Sequence, residues 1–410
     1  MKRVLRIAVA AGLSCLLCLP LTASAAAKPK PDGEVPKAGL ELAKTLTQVT
    51  GIAVSPLLGV SAVGAFQWMK AETPQQKAAL PWFAQPIFWA PCLLLVAAVA
   101  FKDGCGTVIP PGLKKPFDGL EALENKLSGL VAAGAVIPVL VNNASKYMAA
   151  GGSAMLWPAS THFTGLAFLH VGAIDISWLL DAALVPLSLA MYAVVWMASH
   201  AINILILLSP WGAVDAALKA ARTSLLGLLT ITTWINPMAG AFLSVIIIII
   251  AYFIAGWSFR LTVFGTLFCW DFFTLRRRRY RVGTEGDWLF TARKIAGVPI
   301  RTYGRLQRAA DGSLVLVYRP WLVLPARELP LPREGLVVGR GVFYSNVMAA
   351  DPGYADPRPL LLLPPRYVGH EPVLAQTYGI PGTRDIGLRR AWSWLREAFG
   401  FAPKPAPAAA

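Results

Sequence analysis

Three polar side chains in the most apolar part of the chain are the first candidates for chemistry. His200 and Asn203 are three residues apart in an uncharged run, and Asp181 lies about five helical turns earlier. Ionisable groups inside membrane-spanning segments are costly and are typical of proton or ion pathways. Amide and imidazole groups at such positions also form hydrogen bonds between helices. The sequence leaves both hypotheses open for Asp181, His200 and Asn203.

A run of arginines after the last apolar stretch is the second candidate. Five of the six positions at 276–281 are basic, namely Arg276, Arg277, Arg278, Arg279 and Arg281. Near an anionic membrane surface each such residue contributes roughly 1 kcal/mol of attraction. Nucleic-acid binding calls for basic residues interleaved with stacking aromatics, and Tyr280 alone does not supply them. We therefore expect these arginines to contact anionic lipid headgroups and expect no nucleic-acid partner.

Sequence motifs for metal or nucleophile chemistry are missing. The chain contains no HExxH, no GxSxG elbow and no Walker loop. His162, His170 and Asp175 are spaced by eight and five residues, which matches no recognised ligand spacing. The sequence predicts no cofactor, no metal and no enzymatic activity. An intramembrane enzyme acting on lipid is a third hypothesis, and it would require a paired nucleophile and base.

Composition and charge indicate which elements must hold these residues. Of 410 residues, 56% are hydrophobic and 15% are charged, whereas soluble domains carry about 25% charged residues. The formal charge is +16, with 10 basic and 9 acidic side chains over 49–275 but 21 and 10 over 276–410. These figures exclude a disordered chain and an ordinary soluble enzyme. They predict a helical membrane domain over 45–275, a basic linker over 276–286 and a soluble domain over 287–400.

The N-terminal residues have the three parts of a secretory signal peptide. Lys2, Arg3 and Arg6 form a basic start, 7–19 are apolar, and Ala25 ends a small-residue cleavage sequence. We expect a signal peptide over 1–25 and a linker over 26–44. The C-terminal residues 401–410 are rich in alanine and proline and are expected to form a flexible tail.

Uncharged stretches of about 20 residues predict the membrane spans. We expect a polytopic α-helical bundle of about five spans, at 56–69, 82–101, 127–145, 178–208 and 237–257. The basic residues that follow the last span place the C-terminal domain in the cytoplasm by the positive-inside rule. The chain is accordingly predicted to be a multi-pass protein of a bacterial inner membrane.

The C-terminal domain is predicted to be mostly β. Residues alternate in polarity over short segments, and Asp311-Gly312 is typical of a tight hairpin turn. An amphipathic helix with Trp392 on its apolar face is expected at 384–399. The predicted strands are 287–295, 300–308, 313–319, 321–326, 336–345, 359–363 and 368–376.

About seven strands followed by one helix make 287–400 resemble the pleckstrin-homology-like barrel. The resemblance implies binding of a protein, a peptide or a lipid headgroup, and usually no catalysis. Our leading hypothesis is therefore a membrane anchoring or scaffold protein that binds a protein partner or itself through this domain. A transporter or channel that uses the polar residues of the bundle is the alternative.

Overall fold

The computed structural model of the chain shows helices followed by a sheet domain. It describes residues 37–104, 111–150, 177–209, 212–283, 286–309, 311–332, 335–342, 344–350, 356–387 and 389–390. The predicted signal peptide, the tail and most of the predicted C-terminal helix lie outside these residues.

The bundle consists of nine helices in the described part of the chain. They are α1 (Lys37–Val54), α2 (Pro56–Lys70), α3 (Pro74–Ala78), α4 (Pro86–Gly104), α5 (Pro111–Val131), α6 (Ile137–Ala150), α7 (Ser177–Leu208), α8 (Gly212–Ile235) and α9 (Pro237–Phe273). A single π-helical segment, Ala132–Val136, joins α5 to α6. Helix α1 begins inside the predicted 26–44 linker, so the ordered bundle starts earlier than its charge pattern suggested.

Helices α1 and α2 form a hairpin, where the sequence predicted a span at 56–69. The chain breaks at Ser55, because Pro56 has no backbone N–H to continue the helix. Gly59 then lies so close to Ile52 that a β-carbon there would overlap its backbone. Glu41 and Lys70, near the outer ends of α1 and α2, line the same cavity. Both helices therefore extend to the same end of the bundle.

Three described segments are long and apolar enough to cross a membrane. They are Glu121–Ser145, Ala182–Leu208 and Pro237–Phe273, which include the predicted spans at 127–145 and 237–257 and nearly all of the one at 178–208. The apolar part of α4, Pro86–Val99, is shorter than a full span. The protein is thus a helical membrane protein with three such segments in the described residues, and the predicted total of about five is not confirmed.

Helix α9 continues well beyond its predicted end at Trp257, through Arg260 to Phe273. Asn236 caps its start by accepting a hydrogen bond from the Met238 amide at 2.9 Å. Large apolar side chains are exposed along its first half, from Met238 to Phe253. Residues 255–269 of the second half are buried or half-buried, because the sheet domain packs on them, whereas Trp270, Phe272 and Phe273 at its end are exposed.

The sheet domain contains eight strands and one helix in the described residues. The strands are β1 (Asp287–Thr291), β2 (Tyr303–Arg308), β3 (Leu314–Tyr318), β4 (Arg327–Pro330), β5 (Leu336–Arg340), β6 (Ser345–Ala349), β7 (Arg358–Leu363) and β8 (Thr383–Asp385). They form one sheet in the order β4-β3-β2-β1-β7-β6-β5-β8. Neighbours are antiparallel except β5 and β8, which are parallel. The eight described strands thus form an open sheet, whereas the resemblance implied a barrel.

Several predicted strands differ from the observed elements. The segment 368–376 is mostly helical, in α10 (Glu371–Tyr378), because Leu374, Ala375 and Tyr378 share a buried face. The predicted strand 336–345 contains β5 at Leu336–Arg340 and ends where β6 begins, at Ser345. In place of the predicted strand 321–326, strand β4 starts at Arg327. Residues 383–385, at the start of the predicted C-terminal helix, are strand β8.

The bundle and the sheet share one hydrophobic cluster. Ala201 and Ile204 of α7 and Leu261 and Phe264 of α9 pack with Phe290 of β1, all of them buried. The Phe264 and Phe290 rings meet edge to face with centroids 5.1 Å apart. A core built from both regions fixes the sheet domain against the helices.

Candidate functional site

A buried polar network lies between the helices at the end of the bundle nearest the sheet. His200 of α7 is fully buried, and its Nδ1 lies 3.2 Å from Oδ1 of Asn125 on α5. The Trp196 ring stacks on the imidazole with centroids 5.3 Å apart. One turn of α7 thus supplies both the imidazole and the indole that covers it.

Arg222 of α8 joins three helices in this network. Its Nη1 donates to Oδ1 of Asn203 at 2.7 Å, and its Nε donates to the carbonyl of Val54 at 3.0 Å. Ser199 donates to the same carbonyl at 2.7 Å. Because α1 ends at Val54, a cation here also complements the negative end of its helix dipole. The guanidinium therefore caps the apex of the α1–α2 hairpin.

Charged residues on α5 extend the network. Lys126 donates to Oγ1 of Thr266 on α9 at 2.7 Å, and Glu121 forms an ion pair with Lys219 of α8 at 3.5 Å. Glu121 and Glu124 are close enough to Arg222 to interact with it electrostatically. Opposite charges gathered in one place lower the cost of each charge in an apolar bundle.

The buried imidazole and amide of the network have hydrogen-bonding capacity to spare. Nε2 of His200 and Nδ2 of Asn203 have no hydrogen-bond partner within the described residues. An imidazole nitrogen of this kind can accept or donate a proton, and a free amide can bind water or an anion. The network can thus hold α1, α5, α7 and α8 together and can also bind a small polar species.

Depth along the bundle limits what this network can do. Val195 shares a core cluster with Ala251 of α9, whereas Ile204, farther along α7, packs with Phe264. Helices α7 and α9 therefore run parallel, and His200 lies level with the part of α9 just beyond Phe253. The network is consequently at the boundary of the lipid-exposed surface, on the side of the sheet domain.

The sequence located part of this arrangement. His200 and Asn203 both belong to the network. Asp181 lies in α7, but the structure describes only its backbone. Asn125 and Arg222 were missed, because each stands in a helix that reads as ordinary charged or amphipathic sequence. The signal that could have found Arg222 is a basic residue directly before the uncharged run that begins at 223.

Most of the arginines at 276–281 are exposed, and they stand at the far end of α9. Arg277, Arg278, Arg279 and Arg281 are exposed, whereas Arg276 is half-buried and pairs with Asp271 at 3.4 Å. Nε2 of His370 lies 2.8 Å from the carbonyl oxygen of Arg277. This segment is tied to the sheet domain by its backbone, while its charges face outward.

A buried ion pair connects α9 to the sheet domain. Nε of Arg366 donates to Oδ2 of Asp271 at 2.5 Å, and both side chains are almost completely buried. The neighbouring carboxylate favours the charged guanidinium and holds the pKa of Arg366 above its usual range despite burial. Since either charge alone would be costly here, the pair fixes one docking geometry.

Three tyrosines surround a second buried carboxylate, that of Asp287 in β1. Oδ1 of Asp287 accepts from Tyr280 at 2.5 Å and from Tyr367 at 3.3 Å, and Oδ2 accepts from Tyr378 at 3.0 Å. Burial and the adjacent carboxylate raise the pKa of all three phenols, because a second negative charge beside Asp287 is unfavourable. These four residues, the tyrosine cluster, join the segment after α9 to β1 and α10.

The described residues contain no group of three or more histidine, cysteine, aspartate or glutamate side chains placed to hold a metal ion. No protein-family model, curated protein or solved structure matches the chain.

Proposed function

We propose that the protein is a membrane-anchored scaffold of the bacterial inner membrane. The helices hold it in the bilayer, and the sheet domain presents a binding surface for a protein partner or a second copy on the cytoplasmic side. The proposal is carried by the rigid junction, in which a shared core and the buried Asp271–Arg366 pair fix the sheet domain to α9. A domain that presents partners at a set height above the membrane benefits from such a junction.

The charge pattern supports the orientation. Arg260 in α9 and the arginines at 276–281 all follow the lipid-exposed half of the last helix. Positive residues beside a span are retained on the cytoplasmic side. The sheet domain is therefore assigned to the cytoplasm.

The junction provides the test. Arg366→Met leaves Asp271 as a buried, weakly compensated charge, so we expect the sheet domain to loosen on α9. Cross-linking mass spectrometry in native membranes should show several-fold fewer cross-links from the sheet domain to other polypeptides. Arg384→Met, which removes an ion pair with the exposed Asp356, is the matched control and should leave the cross-links unchanged.

A separate variant, His200→Ala, distinguishes the alternative function, transport through the bundle. Two observations favour that alternative, the unpartnered Nε2 of His200 and a cavity of about 900 Å³ that Glu41, Gln48 and Asn143 help to line. The test is flux of ions or small metabolites in liposomes. If wild type shows flux that His200→Ala loses, and wild type forms no partner cross-links, then the protein is a transporter and not a scaffold.

A further inference from the structure

A pocket lined by four arginines lies between α9 and the sheet domain. Arg260 comes from α9, Arg301 precedes β2, and Arg319 and Arg327 flank the loop between β3 and β4. The pocket has a volume of about 250 Å³, and none of the residues that line it is acidic. We name it the basic pocket.

The positive charges of the basic pocket are uncompensated. Within the described part of the chain, the guanidinium groups of Arg301, Arg319 and Arg327 form no hydrogen bond or ion pair. Arg260 donates to the carbonyl of Ile300 at 3.2 Å, and Arg301 lies over the Phe264 ring at 5.5 Å. Burial lowers the pKa of Arg301, because its charged form loses water and gains no counter-ion. Such a pocket attracts an anion.

A loop of apolar side chains borders the same pocket. Trp321, Leu322, Val323 and Leu324 are 43%, 43%, 79% and 43% exposed. Four consecutive exposed apolar residues are unusual on a soluble domain and mark a contact with a membrane or a partner. The Trp321 ring packs on Phe259 of α9 with centroids 4.9 Å apart, which fixes the loop against the membrane helix.

The position along α9 decides between membrane and partner. About 20 residues cross the hydrocarbon core of a bilayer, so a span that starts at Pro237 ends near Trp257. The first run of exposed apolar residues on α9 agrees, since it extends from Met238 to Phe253, and Trp270, Phe272 and Phe273 form a separate exposed group at the end of the helix. Phe259 and Arg260 follow within one turn. The loop is therefore at the interface, and the basic pocket is at the level of the lipid headgroups.

We infer that the basic pocket binds the phosphate of an anionic phospholipid, with the loop 321–324 inserted beside its acyl chains. Arginine forks bind phosphate oxygens through paired charge-assisted hydrogen bonds. The arginines at 276–281 are less suited to bind this phosphate. They follow Arg260 by 16 or more residues of mostly helical chain, which is about 24 Å along the axis of a helix. That distance exceeds the Debye length of about 8–10 Å. This lipid site does not depend on the scaffold function.

Native mass spectrometry of the full-length protein in detergent can measure the binding. Phosphatidylglycerol and phosphatidylcholine are titrated into wild type, R319Q/R327Q and the control R277Q/R278Q. The four replaced residues, Arg319, Arg327, Arg277 and Arg278, are exposed, so their replacement is compatible with folding. We expect wild type to prefer phosphatidylglycerol and R319Q/R327Q to bind it about 25-fold more weakly, since each of the two arginines near an anionic surface accounts for about a fivefold change. The control should change binding less than twofold.

A second measurement separates the lipid from free phosphate. Millimolar inorganic phosphate should not displace phosphatidylglycerol, and Val323→Asn should weaken lipid retention because it makes the inserted loop polar. Displacement by inorganic phosphate together with no effect of Val323→Asn would show a soluble phosphate ligand and overturn the inference. Equal binding of both lipids, or a larger loss in R277Q/R278Q than in R319Q/R327Q, would overturn it as well.

Discussion

At the scale of single residues, this protein places its buried charges where two regions meet. Asp271 and Asp287 are both about 1% exposed, and each is satisfied by groups from other elements. Sequence patterns predicted neither site, because an aspartate near the end of an apolar helix or at a strand start is usually exposed. Besides the nearby Arg276 and Tyr280, their partners come from residues about 80 to 95 positions later in the chain.

The tyrosine cluster predicts a loss of stability at alkaline pH. The folded-state pKa values of Tyr280, Tyr367 and Tyr378 exceed the unfolded value of about 10, so the folded state binds protons more tightly than the unfolded state. The stability that these three tyrosines contribute is fully present below about pH 10 and is lost as the pH rises above that value. The thermal unfolding temperature should therefore fall steeply above about pH 10.

Tyr367→Phe tests the origin of that alkaline loss. The substitution keeps the ring and removes one ionising phenol, so the fall in unfolding temperature with pH should become shallower. Tyr344→Phe removes an exposed phenol outside the cluster and controls for the loss of a tyrosine as such. An unchanged slope in Tyr367→Phe would show that other groups cause the alkaline transition.

At the scale of elements, close packing of α7 on α9 depends on glycine. Gly265 of α9 faces Ile204 of α7 so closely that a β-carbon would overlap the isoleucine side chain. Hydropathy predicted both helices and gave no information on which of their faces meet. The contact also sets the height at which the polar network meets the sheet domain.

Gly265→Ala is expected to destabilise the bundle by about 1–3 kcal/mol, because the two helices must separate to admit a methyl group. Gly227→Ala in α8 is the matched control, since a β-carbon there meets nothing within 4 Å. Alanine has the higher helix propensity, so the control should be neutral or stabilising. Thermal unfolding in detergent compares the two, and a Gly265→Ala protein as stable as Gly227→Ala would contradict the packing.

At the scale of the whole molecule, the outer ends of the helical hairpin and the sheet domain lie at opposite ends of the bundle. The outer ends of α1 and α2 meet around Glu41 and Lys70, while the hairpin apex at Val54 meets the polar network. Helix α9 leads from the opposite end into the sheet domain. Residue Glu72 and the turn at Asp311 should therefore be on different sides of the membrane.

Cysteine labelling tests that topology in a background without native cysteines. A membrane-impermeant maleimide should label Glu72→Cys in intact spheroplasts and label Asp311→Cys only after the membrane is opened. Both positions are exposed, so burial does not limit the reaction. Labelling of Asp311→Cys in intact spheroplasts would place the sheet domain outside and reverse the proposed orientation.

Local patterns along the chain were enough to predict the class of protein and the order of its parts. Helices in the N-terminal half and strands in the C-terminal half follow from local hydropathy and from alternation along the chain, which depend on near neighbours. The structure confirms that order, and His200 and Asn203 both lie in the polar network. It also shows that α10, predicted as the strand 368–376, takes its conformation from its packing.

Which residues act together depends on the fold. The partners in the polar network, the ion pair Asp271–Arg366 and the basic pocket are far apart in the chain, and no spacing rule brings them together. The break at Ser55 became a hairpin because Gly59 could pack on Ile52. Long-range contacts of this kind depend on how whole helix faces and strands fit, which a pattern of neighbouring residues does not record.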